Sequence, residues 1–143
     1  MAKSNVFEND LLKLIFNGGT IANLAQNATV SPLTGLYFAL HTADPGEAGD
    51  QSTFEVVYPS YIRASVARTS AAFLVSGNSV SLVFDLDFPA SSGGATTTAP
   101  FFSVGTDASG PGKILYRGTV SAALVINPGN TPRLLSGSNI TEE

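Results

Sequence analysis

From Leu36 the chain alternates. Leu36, Phe38 and Leu40 fall on one side, Tyr37, Ala39 and His41 on the other. A period of two marks a β-strand. The segment before it has another period: Phe7, Leu11, Leu14 and Ile15 recur at i, i+4, i+7 and i+8, which predicts a helix. Asn5, with Glu8 three residues on, reads as its N-cap, and Asn17-Gly18-Gly19 as its stop. Residues 20–34 read as irregular, with a short turn around Ile21 to Leu24.

Further strands are expected at 61–68, 72–76, 79–84, 100–105, 114–120, 122–127 and 133–136, and a last short one at 138–141. Gly77-Asn78 between the second and third of these suits a two-residue hairpin. Turn signals stand at DASGPGK (107–113) and NPGN (127–130). Many short strands with regular turns, and no crossover helices, predict a mainly β fold: an antiparallel sandwich or jelly roll with one N-terminal α-helix. The length of 143 residues fits one domain, with a helix and irregular arm over 1–34 and a β-sandwich over 35–143. The polar segment ASSGGATTTA (90–99) reads either as a flexible surface loop or as a segment that orders against a neighbouring subunit.

Composition narrows the chemistry. The net charge is −4 without a run of Lys or Arg, so no nucleic-acid partner is expected. There is no cysteine, so disulfides and thiol chemistry are excluded. The first residues carry Lys3, Glu8 and Asp10 and no long apolar core, so a soluble chain without a secretory signal and without a membrane partner is expected. Only 13% of residues are charged. A surface rich in Ser, Thr, Ala and Gly suits packing against other proteins, because little charge must be desolvated.

Candidate chemical groups are few. His41 is the sole histidine, and no Gly-x-Ser-x-Gly elbow occurs. GPGK at 110–113 lacks the first glycine of a phosphate loop, where Asp107 stands, and Ile114 replaces its Ser or Thr. Asp44, Glu47 and Asp50 are weak candidates for a calcium site, since oxygen ligands suit calcium but acids at every third residue do not match its loop pattern. Asp85 and Asp87 share a strand face opposite Phe84, Leu86 and Phe88. They read as a solvated face, with a glycosidase carboxylate pair as the sharper alternative. No cofactor is expected.

The order of segments carries a likeness. An N-terminal helix precedes LYFALHTADPGEAG, then SYIRASVART, the FPA at 88–90, FFSVGTDASGPGKILYRGTV, NPGNTP and LLSGSNITEE. This resembles short bacteriophage structural proteins known as tail-fibre proteins, over nearly the whole chain from Phe7 to Glu143. The first motif with Tyr61 and Arg63, and Asp107 to Thr119, carry most of the resemblance. One departure is ATTTAP at 95–100, where relatives often have a Trp-Gly pair.

The resemblance implies a non-enzymatic virion structural protein, assembled in the cytoplasm of the bacterial host. It would be a small oligomeric module on the particle surface, a head decoration or tail-fibre-like component. Its expected partners are itself, with a trimer fitting the symmetric positions of decoration proteins, and other virion proteins such as the major capsid or tail proteins. His41 and the acidic loop are then a structural corner, with Arg63 pairing to Asp44, Glu47 or Glu55 at the surface. Phe7, Leu11, Leu14 and Ile15 are expected to bury against the β domain or a neighbouring subunit. Ser91, Ser92, Thr96 and Thr97 are expected to order at a contact. Two alternatives are a receptor- or glycan-binding fibre tip using Tyr58 and Tyr61, and a glycan-cleaving enzyme using Asp85 and Asp87.

Overall fold

The computed structural model describes residues 3–21, 24–26 and 32–142. It is mainly β, its described strand registers are all antiparallel, and it has one helix near the N-terminus. The chain forms two compact units. One draws on Met1–Gly35, Ala67–Asp85 and Leu135–Glu143, the other on Leu36–Val66 and Leu86–Leu134.

In the first unit, helix α1 spans Asn5–Phe16. Its cap is Ser4, one residue before the expected Asn5: Ser4 stays extended and its hydroxyl accepts the Phe7 N–H at 3.4 Å. The expected stop holds. Gly18 has φ +62° and the Gly19 N–H returns to the Lys13 carbonyl at 2.9 Å. Arg68 completes this end, donating to the carbonyls of Ile15 (2.6 Å) and Leu14 (2.8 Å), where a cation also meets the negative end of the helix dipole.

The face of α1 that is fully buried is Glu8, Leu12 and Phe16, not the expected stripe. Leu11, Leu14 and Ile15 flank it half-buried, and Phe7 is exposed. Phe16 meets Phe73 edge-on, with ring centroids 5.0 Å apart. Two-residue strands β1 (Thr20–Ile21) and β2 (Ala25–Gln26) pair where irregular chain was expected. The middle of the turn expected there, residues 22 and 23, and residues 27–31 lie outside the described residues.

Strands β5 (Phe73–Ser76), β6 (Ser79–Leu82) and β11 (Asn139–Thr141) form a three-stranded sheet in the order β11-β6-β5. Ser76 opposes Ser79 across Gly77-Asn78, and Gly77 has φ +61°, so glycine occupies the first central position of the hairpin turn.

The second unit is built on a four-stranded sheet, β4 (Ala64–Ala67), β3 (Gly35–His41), β8 (Thr97–Gly105) and β9 (Ile114–Ile126), in that order. Central β3 buries Phe38, Ala39, Leu40 and His41 consecutively, as a strand covered on both faces must. The expected break at residue 121 is absent, and β9 runs through it. Its ladder with β8 is interrupted instead at Pro100, which has no N–H to give: register passes from Phe101↔Thr119 to Ala99↔Leu124, and Val120–Ala123 bulge out. Thr97–Ala99, read as low-complexity loop, belong to β8. Strands β7 (Leu86–Asp87) and β10 (Arg133–Leu134) pair separately. Among the described residues no helix is long and apolar enough to cross a membrane.

Candidate functional site

The motifs singled out in the sequence meet at one corner of the second unit. At the end of β3, His41 is 0% exposed. Its Nδ1 lies 2.9 Å from the Thr53 carbonyl and its Nε2 lies 2.8 Å from Ser103 Oγ. A carbonyl can only accept, so Nδ1 carries the proton and Nε2 accepts from Ser103. Burial pushes the imidazole pKa down, which favours this neutral form. The distances are those of a serine–histidine dyad. Yet Ser103 is also 0% exposed, and a neutral carbonyl stands where a triad has its carboxylate. Neither group is open to a substrate.

Beside it, Arg63 forms a two-pronged pair with Glu55: Nε to Oε1 at 2.7 Å and Nη2 to Oε2 at 2.8 Å. Of the three partners expected for Arg63, the structure selects Glu55, and the pair is largely buried rather than at the surface. Arg63 also donates to the carbonyls of Asp107 (2.9 Å) and Gly110 (2.6 Å), clamping the 107–113 turn. Tyr61 Oη donates to Glu55 Oε1 at 2.9 Å and accepts the Leu40 N–H at 3.1 Å. Burial raises its pKa.

Gln51, fully buried, finishes the corner. Its Nε2 donates to the Tyr37 carbonyl at 2.9 Å, and its backbone N–H to the Gly112 carbonyl at 2.9 Å. A Cβ on Gly112 would stand 2.4 Å from Gln51 Oε1, and one on Gly105 2.1 Å from its Cδ. The glycine of GPGK is therefore a slot for a side chain, not a phosphate cradle.

This network fixes residues 53–55 on both sides of Phe54, and Phe54 is displayed. It has φ +54°, which a bulky residue rarely adopts. Its carbonyl accepts both the Thr42 N–H (2.8 Å) and Thr42 Oγ1 (3.2 Å). Phe54 is 57% exposed, Val57 88% and Ile62 65%. Sequence reasoning missed these three: Phe54 and Val57 lie outside every expected strand and phenylalanine gives no signal for a left-handed backbone, while Ile62 falls in the strand expected at 61–68, of which only Ala64–Ala67 forms.

The polar segment at 90–96 joins the same region. Ser92 Oγ accepts from Ser60 Oγ at 2.8 Å, and Ser60 has φ +78°. A Cβ on Gly94 would stand 3.0 Å from Pro59 Cδ. Ser91 is buried, bonded through its backbone to Gly129 and Asn130. Thr96 is exposed and donates to Asn127 Oδ1 at 2.7 Å; Thr97 is half-buried in β8. The segment is thus laced down rather than loose.

The remaining candidates are dispersed among structural duties. Asp44 accepts the Gly46 N–H at 2.9 Å and pairs with Arg117 at 2.6 Å; these bonds hold its carboxyl below the usual range. Asp50 caps its own turn through Ser52. Glu47 lies in a separate cleft with Ile114–Arg117. Among the described residues no three acidic or histidine side chains gather as a metal site would require. Asp87 pairs with Arg133 at 2.5 Å, which holds its carboxyl low. Asp85 accepts the Ser136 N–H at 2.7 Å. Tyr58 is buried, its hydroxyl donating to the Pro89 carbonyl at 2.9 Å, and its ring lies 5.2 Å from that of Tyr61.

Against known proteins, a family model described as Podophage GP4 fiber I protein gp80 matches residues 2–141. No curated protein matches the chain.

Proposed function

The chain belongs to the podophage GP4 fiber I protein family and is a fibre-like structural component of a phage particle. From that premise we propose that it works without enzymatic chemistry, as an oligomeric contact module attached through the apolar loop Phe54–Ile62. The observation that carries this reading is Phe54, held in a left-handed backbone by a buried polar network and turned to solvent. Strain of that kind persists only where the surroundings over-determine it, and it clusters at functional sites such as active sites, ligand clamps and switch regions. Exposed Val57 and Ile62 extend the loop's apolar surface, and Ser92 adds a polar edge bonded to Ser60.

The partners are a second copy and other virion proteins, a major capsid protein for a decoration module or a tail protein for a fibre. The exposed Phe7 with half-buried Leu11, Leu14 and Ile15 is a further apolar contact of the first unit. Two observations favour this over the rival functions. A glycosidase needs its two carboxyls turned to the sugar, whereas Asp87 is tied two-pronged to Arg133 and Asp85 accepts the Ser136 N–H. The aromatic pair expected of a glycan-binding tip is not displayed: Tyr58 is buried and Tyr61 gives its hydroxyl to Glu55.

The test is sedimentation of particles carrying Phe54→Ser or Ile62→Ser. Each loses an apolar contact of roughly 1.5–3 kcal/mol, so retention on the particle should weaken about tenfold or more while the free protein melts no lower. Full retention of both variants would sink this assignment. A polysaccharide-cleaving activity abolished by Asp85→Asn with Asp87→Asn would overturn the non-enzymatic part.

A further inference from the structure

We infer that the outer edge of β9, over Gly118–Ile126, is where two copies of this chain pair strand to strand and antiparallel. This rests on the oligomeric reading above and names its surface. Strand β9 is last in the sheet order β4-β3-β8-β9, so among the described residues no strand lies beyond it. Its first part is attended by the acidic loop: Arg117 is paired to Asp44, and Gly46, Glu47 and Gly49 line a cleft with Ile114–Arg117. Its second part faces the returning segment instead, without an ion pair to it. A cleft of about 630 Å³ separates Ala122–Val125 from the returning segment Gly129–Arg133. That segment spends its backbone bonds on the other side, where Phe88 donates to Pro132, Ser91 to Asn130, and Gly129 to Ser91.

An edge left open is a template for another strand, and soluble proteins guard such edges with lysine, proline, inward charge, a bulge or a covering segment. The run Gly-Thr-Val-Ser-Ala-Ala-Leu-Val-Ile from 118 to 126 has no lysine, proline or charge, and its guard is the bulge opposite Pro100 alone. The bulge opposite Pro100 leaves Ser121, Ala122 and Ala123 exposed and without register partners on β8.

The occupant follows from charge. Two-fold pairing of a strand with its own copy sets each residue against the same short run read backwards. Any charge in the middle would face its own sign, at a cost. This run is uncharged, although the whole chain carries −4, and the nearest charge, Arg117, is already matched by Asp44. Glycine, alanine and serine also let two backbones approach closely.

The chain has no cysteine, so single cysteines report cleanly. Under mild oxidation of the full chain, at least one of Ser121→Cys, Ala122→Cys and Ala123→Cys should give a disulfide-linked dimer. Ser65→Cys on β4, the opposite edge, should not. In sedimentation velocity the wild type should run at twice the mass of Ala122→Lys, with equal thermal melts, since Ala122 is exposed. Association unchanged in Ala122→Lys, or crosslinking through Ser65→Cys alone, overturns the β9 assignment and leaves an oligomeric module standing. A wild type that is monomeric both free and on the particle overturns the oligomer altogether, while the Phe54 variants report separately on attachment.

Discussion

His41 and Arg63 show how a buried polar residue becomes a stability term rather than a catalyst. The imidazole is held neutral, so its folded pKa lies below the ordinary 6.5. Below pH 6.5 the unfolded chain therefore takes up a proton that the folded chain refuses, and stability falls as pH falls. The slope is at most about 1.4 kcal/mol per pH unit for one proton. Asp44, Asp50 and Asp87, whose carboxyls are held below 3.8, add their losses only as pH drops below that value. Urea melts at pH 7.5, 6.5 and 5.5 should show the first loss in the wild type and not in His41→Gln. An identical pH response in both would refute the assignment to His41. For Arg63, removing the guanidinium strands the Glu55 carboxylate. Arg63→Ala should cost about 3 kcal/mol, the low end for breaking a buried pair, because Glu55 keeps some contact with water. Arg117→Ala, at the exposed Asp44 pair, should leave the melting midpoint unmoved.

Individual elements were legible where a single period or a single turn residue decides. The helix, β3, the Gly77-Asn78 hairpin and β11 stand close to where pattern places them. Which side of α1 is innermost was not legible, since Leu11 and Leu12 are adjacent and equally apolar, and only the folded structure ranks them, burying Leu12 on the face from which Phe16 meets Phe73. Leu12→Ala should thus cost about 2–5 kcal/mol in a thermal or urea melt and Leu11→Ala clearly less. Continuous β9 was hidden because the pattern breaks at Ser121, between the strands expected at 114–120 and 122–127, whereas Pro100 in the partner strand explains the bulge. The corner itself was half legible: its residues were marked by motif, but the choice of Glu55 depends on the backbone bringing 55 beside 63. Gly112 is the sharpest case. Gly112→Ala should destabilise by about 1–3 kcal/mol through overpacking against Gln51. Adding Gln51→Ala should recover part of that loss, a coupling that a double-mutant cycle in urea would measure. Strict additivity would mean that the slot is not what the glycine serves.

At the scale of the molecule, the attachment and self-pairing proposed above would rest on surfaces with few charges. Both should persist in about 1 M salt, where exposed ion pairs are screened within about 3 Å, and particles washed at that strength should keep the protein. Release at high salt would point to an electrostatic contact instead. The first unit carries a different kind of consequence, one of timing. Its sheet is closed by β11, whose residues pair with β6, and Glu142 ties back to Asn78 and to Lys3. Chains grow from their N-terminus, so α1 leaves the ribosome on the order of ten seconds before β11 exists. During that interval β6 has an open side and the helix has only part of its support. A nascent chain cut short before residue 139 lacks the strand that pairs with β6. Limited proteolysis should therefore cut such a truncated chain within this unit faster than the full chain.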